Sequence, residues 1–234
     1  MLDQAVILCG GKGKRLLPYT PTIPKPMIKV NNINFLQILI NQLKINNFKE
    51  ILLLTGYKHK IIHEYVRQNK IKKINCIYTD PKLETGERLK KIQKKLDQNF
   101  MLMYGDNYIN FNFKKHFNKV EKKSMIHLLL QSKKLANEQG NVFINNKKIK
   151  YYKKRNKICD YVEMGYSVVN RNIIFKNSFK SFNDYIIYAS NLKKISYTKT
   201  TNKYISITNP EIYSRAKKWF SKNKKLDKYS KILL

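Results

Sequence analysis

Two basic side chains and one carboxylate stand out in this 234-residue sequence by their placement, the cations for phosphate oxygens and the carboxylate for a hard metal ion. Arg15 and Lys25 lie in one loop, and Asp106 follows an apolar run. The loop, LCGGKGKRLLPYTPTIPKPM from Leu8 to Met27, comes directly behind the apolar stretch Ala5 to Leu8. Gly10, Gly11 and Gly13 lack a Cβ, so their backbone amides can approach an anion closely. Arg15 and Lys25 add charge for phosphate oxygens. Pro18, Pro21, Pro24 and Pro26 stiffen the segment, which lowers the entropy lost on binding. Together these features predict a pre-shaped cradle for a triphosphate. It is not a Walker loop, because GxxxxGK[ST] is absent, and GxGxxG fails at Leu16. A tight strand-to-loop turn with no ligand is the plainer alternative. The full spacing, G-x-G-x-R-x-x-P-x-T-x-x-x-P-K-P-M, is far more specific than such a turn requires.

The elements that must position these residues alternate regularly in the first half of the chain. Gln4 to Cys9, Glu50 to Thr55, Ile74 to Tyr78 and Phe100 to Tyr104 read as buried strands. Phe35 to Ile45, Lys58 to Gln68 and Thr85 to Leu96 read as helices between them. Continuous apolar strands separated by helices predict a doubly wound α/β fold: three layers, α/β/α, with a Rossmann-like, mostly parallel sheet. In such sheets ligands sit beyond the carboxyl ends of the strands, and both the glycine loop and Gly105-Asp106 fall there. The second half predicts strands at Met125 to Gln131, on either side of Asn145-Asn146 within Asn141 to Tyr152, at Tyr161 to Val169, Lys193 to Tyr197 and Tyr204 to Ile207. Helices are expected at Ser181 to Asn191 and, after Pro210, Glu211 to Lys222. The last dozen residues are basic and expected to fray. Without a repeat or linker, residues 1–234 read as one domain, with a nucleotide-binding half (1–110) and a half for the second substrate (111–234).

Charge and composition narrow the function. A net charge of +33 invites a nucleic-acid reading. Of the 48 basic residues, however, 42 are Lys and only 6 are Arg, the usual reader of base edges. The Lys residues run along the whole chain with Asn and Ile, so no specific nucleic acid is expected, although polyanions and phosphorylated substrates are attracted. Cys9, Cys76 and Cys159 are few, scattered and without CxxC, as expected of reduced thiols in a cytoplasmic protein. His59 and His63 form an HxxxH pair, expected on a solvated helix face rather than at a metal. No apolar run is long enough to cross a membrane.

Gly11 to Met27 resembles the signature of the sugar-1-phosphate nucleotidyltransferases, the NDP-sugar pyrophosphorylases. The resemblance continues through FLQILINQLKINNFKEILLLTGYKHKIIHEYV, TGERLKKI and YGDN, and more weakly through YVEMGYSVVN and SITNPEIYSRAKKWF. Chain length and the C-terminal part are similar to heptose-1-phosphate guanylyltransferases, whereas ETGERLKKI with YGDN looks more like glucose-1-phosphate cytidylyltransferases. The resemblance implies the nucleotide-diphospho-sugar transferase fold. It also implies a reaction in which a sugar-1-phosphate oxygen attacks the α-phosphate of an NTP and pyrophosphate leaves, serving surface polysaccharide precursors. It implies nucleotide contacts at Leu8, Gly10, Gly11, Gly13, Arg15 and Gly86, with Arg15 on the β/γ-phosphates. Lys25 would reach the α-phosphate and the attacking phosphate, Asp106 would hold Mg²⁺, and Lys154, Glu163 and Gly165 would meet the sugar phosphate. CTP is slightly favoured as the base donor, with GTP close behind. Gly86 has a second reading, as part of a helix-entry turn capped by Thr85, and Glu163 a second one, as a strand Glu paired with a Lys.

The sequence departs from the family pattern at two places. Where the family often reads D-I-G-T-P-E, this chain reads S-I-T-N-P-E, which puts Ser206 at the position of a second acidic metal ligand; Asn209 or Asp160 are candidate replacements. The family's Glu-Lys pair becomes YYKKRNK, keeping Lys153, Lys154 or Arg155 but no Glu. The leading expectation is an active transferase. The alternatives are a weakened homologue that binds NTP or NDP-sugar, a transferase for a non-sugar phosphate such as phosphocholine, and, remotely, a nucleic-acid-binding protein.

Overall fold

The computed structural model describes residues 2–117, 120, 123–146 and 148–223; the basic C-terminal dozen lies almost entirely outside them. In chain order the strands are β1 (Gln4–Cys9), β2 (Lys29–Val30), β3 (Ile33–Asn34), β4 (Glu50–Thr55), β5 (Ile74–Tyr78), β6 (Asn99–Tyr104), β7 (Asn107–Ile109), β8 (Ile126–Ser132), β9 (Val142–Asn145), β10 (Lys148–Tyr151), β11 (Tyr161–Asn170), β12 (Ile195–Lys199) and β13 (Tyr204–Ser206). The helices are α1 (Phe35–Ile45), α2 (His59–Gln68), α3 (Thr85–Lys91), α4 (Phe113–Phe117), α5 (Lys133–Ala136), α6 (Asn172–Lys176), α7 (Phe182–Asn191) and α8 (Pro210–Lys222). The architecture is a mixed, mostly parallel sheet flanked by helices. No helix among the described residues is long and apolar enough to cross a membrane.

The chain forms two compact units. The first, called here the loop unit, comprises Asp3–Pro81, Met103–Ile109 and the described residues from Ile205 on. The second comprises Leu2, Lys82–Leu102 and the described residues of Asn110–Tyr204.

In the loop unit β1, β4 and β5 run parallel, with Cys9 level with Thr55 and Thr55 with Tyr78. Every residue of β1 is buried, and α1 buries every residue from Phe35 through Leu43, the polar Gln37, Asn41 and Gln42 included, so it is covered on all sides and not only on the face of Phe35, Leu36, Leu39, Ile40 and Leu43 that its amphipathic spacing predicts. α8 closes this core with Tyr213, Ala216 and Phe220, one face at helical spacing. Phe220 meets Phe35 and Tyr108 at ring distances of 6.3 and 5.5 Å. β5 is more exposed than a continuous apolar run suggests, because it is the last strand of the sheet path.

In the second unit β11 pairs antiparallel with β8, β12 runs parallel to β8, and β9 and β10 form a hairpin. The buried His127 locks this sheet: its two ring nitrogens lie 2.7 Å from Ser196 Oγ and 2.9 Å from Thr198 Oγ1. Burial pushes its pKa down to about 4, so it is neutral at pH 7.

The expected long helix from Thr85 to Leu96 is instead α3 followed by a separate 3₁₀ turn, Gln93–Lys95. One continuous helix would align Lys90 with Lys94 and Lys91 with Lys95, like charges at the spacing where they repel. Nor is Thr85 the cap. Glu84 is the N-cap, in a capping box with Glu87.

Candidate active site

The loop unit assembles the glycine loop and Asp106 from strands far apart in sequence. The end of β6 passes so close to the end of β1 that Gly105 N–H donates to Leu8 O at 3.1 Å. A Cβ at Gly105 would lie 3.0 Å from Leu8 O, 3.1 Å from Pro26 Cγ and 3.2 Å from Cys9 Sγ. Glycine at this position therefore lets Asp106 turn toward the loop. The sequence assigns Gly105 no role of its own, since the close approach exists only once the strands pair.

The loop is a fixed shape. Gly13 is left-handed, φ 65°, and leads into a 3₁₀ turn, Lys14–Leu16. Its carbonyl accepts from Leu16 N–H at 2.8 Å and Thr20 Oγ1 at 3.1 Å, while Leu16 is fully buried as the loop's anchor. By contrast, a Cβ at Gly11 would meet no atom within 4 Å, so protein packing does not demand glycine there. Arg15 is exposed, with no hydrogen bond or ion pair among the described residues. Lys25 Nζ is 2.7 Å from Asp106 Oδ2, and the two side chains are 12% and 22% exposed. The cation assigned to the phosphates and the carboxylate assigned to Mg²⁺ are thus paired with each other.

β7 and β13 pair as a two-stranded ladder, and Ile207 N–H donates to Asp106 O at 3.0 Å. The S-I-T-N segment accordingly runs alongside Asp106, and Ser206 occupies it as a buried hydroxyl that accepts from Thr208 Oγ1 at 3.2 Å. Both candidate replacements for a second acid have protein partners of their own. The Asn209 side chain caps α8, accepting from Ile212 N–H at 2.9 Å. Asp160 pairs with Lys133 at 3.1 Å in the second unit. Among the described residues no three His, Cys, Asp or Glu side chains cluster as a metal site.

The HxxxH pair is not a merely solvated face. His63 Nε2 lies 2.8 Å from Thr55 Oγ1, and His59 packs its ring 4.3 Å from that of Tyr78. Burial, with His59 adding to it, lowers the His63 pKa. No disulfide joins Cys9, Cys76 and Cys159.

The second unit carries Gly86, Lys154, Glu163 and Gly165. Gly86 does make a close approach, but to protein: a Cβ there would lie 2.4 Å from Phe179 O and 2.8 Å from Lys180 O. Among the described residues Glu163 has no Lys partner. Its carboxylate accepts the Gly165 N–H at 2.5 Å, where Gly165 turns left-handed at φ 79° and the β11–β8 register shifts. Burial pushes the Glu163 carboxyl up to about 7, against the opposing pull of that N–H and of Arg155. In YYKKRNK, Lys153 is paired with Asp184 at 2.9 Å and Arg155 with Glu138 at 2.6 Å. Lys154, exposed between them, has no such partner among the described residues.

A family model described as nucleotidyl transferase matches residues 4–163, more than half of the chain. The chain belongs to the nucleotidyl transferase family. This nucleotidyl transferase is 28% identical to a D-glycero-alpha-D-manno-heptose 1-phosphate guanylyltransferase of Aneurinibacillus thermoaerophilus, over 92% of this chain and 97% of that one. A protein of the same name from Campylobacter jejuni is 34% identical over 48% of this chain, and the match spans about half of that relative, 51%. Among solved structures, HddC from Yersinia pseudotuberculosis complexed with GMP-PN superposes with a TM-score of 0.78 at 24% identity, covering 94% of this chain and 100% of that one. The inositol-1-phosphate CTP transferase of T. maritima does so with 0.81 at 18% identity, covering 95% and 96%. At these identities the two structures speak for the fold.

Proposed function

We propose that this nucleotidyl transferase joins GTP to a sugar 1-phosphate, giving an NDP-sugar and pyrophosphate for surface polysaccharide synthesis in the cytoplasm. The observation that carries the proposal is the arrangement of the loop unit, where a braced glycine loop and Asp106 are held together by the 2.7 Å Lys25–Asp106 pair. GTP is preferred because both guanylyltransferase relatives act, by name, on a heptose 1-phosphate; CTP is the second reading, supported by TGERLKKI.

In the proposed reaction an acceptor phosphate oxygen bonds to the α-phosphorus of the NTP, and the bond from that phosphorus to the α,β-bridging oxygen breaks, releasing pyrophosphate. No covalent enzyme intermediate is needed, so positioning and charge neutralisation supply the rate. The amides of Gly10, Gly11 and Gly13 hold the triphosphate, with room beside Gly11 for an anion, and Leu8 is proposed as a further nucleotide contact. Arg15, exposed and without an ion pair among the described residues, meets the departing β/γ-phosphates. Lys25 exchanges its carboxylate partner for oxygens of the α-phosphate and the attacking phosphate. Asp106 would hold Mg²⁺ through a hard carboxylate oxygen, a donor of the kind this ion takes one or two of beside substrate phosphates. When bound, Mg²⁺ supplies charge neutralisation on the phosphates. Glu163, Gly165 and Lys154 are proposed for the sugar phosphate. Gly86 is proposed near the base, although its contact with Phe179 and Lys180 already accounts for glycine.

The test follows pyrophosphate release with each NTP, Mg²⁺ and a panel of sugar 1-phosphates plus phosphocholine. Release is expected with GTP and a heptose 1-phosphate, and Asp106→Ala and Lys25→Ala are each expected to lower it by about 100-fold or more. Release that survives Asp106→Ala sinks the mechanism. NTP binding without release for any pairing would instead favour a weakened binding homologue, for which Ser206 is the structural motive.

A further inference from the structure

One residue outside the signature ties both ends of the glycine loop. The parallel register of β1 and β4 sets Cys9 level with Thr55. The ladder continues past both strands, so that Tyr57 N–H donates to Gly10 O at 3.1 Å. The same residue's phenol then crosses the loop. Its O–H donates to Pro21 O at 3.1 Å and lies 3.4 Å from Thr20 O. The turn that aims the ring is itself fixed: His59 N–H donates to Gly56 O at 3.1 Å, and Lys58 is left-handed at φ 51°. Inside the span, Thr20 returns a bond to Gly13 O, so residues 10–21 are closed at the base by Tyr57 and cross-braced within.

We infer that Tyr57 is a positioning residue for the nucleoside triphosphate, acting through the loop without touching the reactants. The inference rests on reading Gly10 to Met27 as the triphosphate cradle. Backbone amides bind an anion well only when they already point at it, because a loop that must order on binding loses affinity to that ordering. The backbone bond to Gly10 sets the root of the loop, and the phenol holds its return limb, so the hydroxyl sets how much of the cradle is preformed. The acceptor phosphate gains nothing from this bond.

Tyr57→Phe removes the hydroxyl and keeps the ring and the backbone bond. Tyr213→Phe is the matched control. It deletes a phenol hydroxyl that donates to Lys29 O at 2.6 Å, outside the span closed by Tyr57, and keeps the ring, which packs on Tyr19 within that span at 5.0 Å between centroids. Titration calorimetry with GTP and with CTP in Mg²⁺ is expected to show NTP affinity weakened roughly fivefold or more by Tyr57→Phe, the size expected for one hydrogen bond. Steady-state kinetics should place the loss in the KM for NTP, with kcat at saturation and the KM for the acceptor within about twofold. Tyr213→Phe should leave NTP affinity unchanged. Unchanged NTP affinity in Tyr57→Phe overturns the inference, and so does an equal loss in both variants, which would mean general loosening. A wild-type protein that binds no NTP overturns the cradle reading itself, and this inference with it.

Discussion

Glu163 shows how one carboxyl group is set by its surroundings. Burial is the largest influence, lifting it to about 7, while the Gly165 N–H works in the opposite direction. The folded pKa is therefore raised above the usual 4.5. It follows that Glu163 favours the fold fully below about pH 4.5, and that this contribution is lost as pH rises through 7. Glu163→Gln imitates the protonated acid. Thermal melts of both proteins should coincide near pH 4 and separate toward pH 8, with the variant more stable by at most about 3 kcal/mol. A gap that stays constant across this range would contradict the assignment. His127 shifts the other way, to about 4, so its contribution falls as the solution is acidified below about pH 6.5. It is common to both proteins and drops out of the difference.

At the scale of elements, α3 and α7 lock through their N-termini. Gly86 and Glu87 N–H donate to Lys180 O at 2.8 and 3.1 Å, and Phe182 N–H donates to Thr85 Oγ1 at 2.8 Å. Each helix start thus satisfies amides that its own turns leave open. Gly86→Ala would place a methyl 2.4 Å from the Phe179 carbonyl. Backbone must then move, and a loss of about 2–3 kcal/mol is expected, or a fall in melting temperature of roughly 5–10 °C. Gly11→Ala, where the methyl meets nothing, should change the melting temperature by no more than about 2 °C, whatever it does to nucleotide binding. Equal destabilisation by both would show that the Gly86 contact is not the cause. This contrast also explains what could be read in advance. β1, α1 and β4 begin and end where their apolar patterns do, and the glycine loop is written in contiguous residues. Gly105 and Tyr57 were illegible because their roles arise from strand register, and the β2–β3 hairpin, β7 and α4 to α6 are too short to show a period.

For the whole molecule, charge is the dominant property. A surplus of +33 leaves most Lys residues without acidic partners, because the chain has 48 basic residues and 15 acidic ones. Surface pairs such as Lys49–Asp3 and Arg67–Glu64 offset little of it. Two effects of opposite sign follow. The surplus repels itself and weakens the fold, whereas the same field attracts a tetra-anionic nucleotide and a sugar phosphate. Salt weakens both, as the screening length shrinks from about 10 Å at 0.1 M to about 3 Å at 1 M. Raising KCl from 0.05 to 0.5 M should therefore raise the melting temperature by several degrees while raising the KM for NTP on the order of tenfold, with kcat nearly constant. The two readouts must move together if the charge acts as a field over the entire surface. A KM that ignores salt would confine recognition to Arg15, Lys25 and the loop amides. Steeply salt-dependent binding of DNA or RNA with a sequence preference would instead mean that the Lys surface reads a polymer, against its scarcity of Arg.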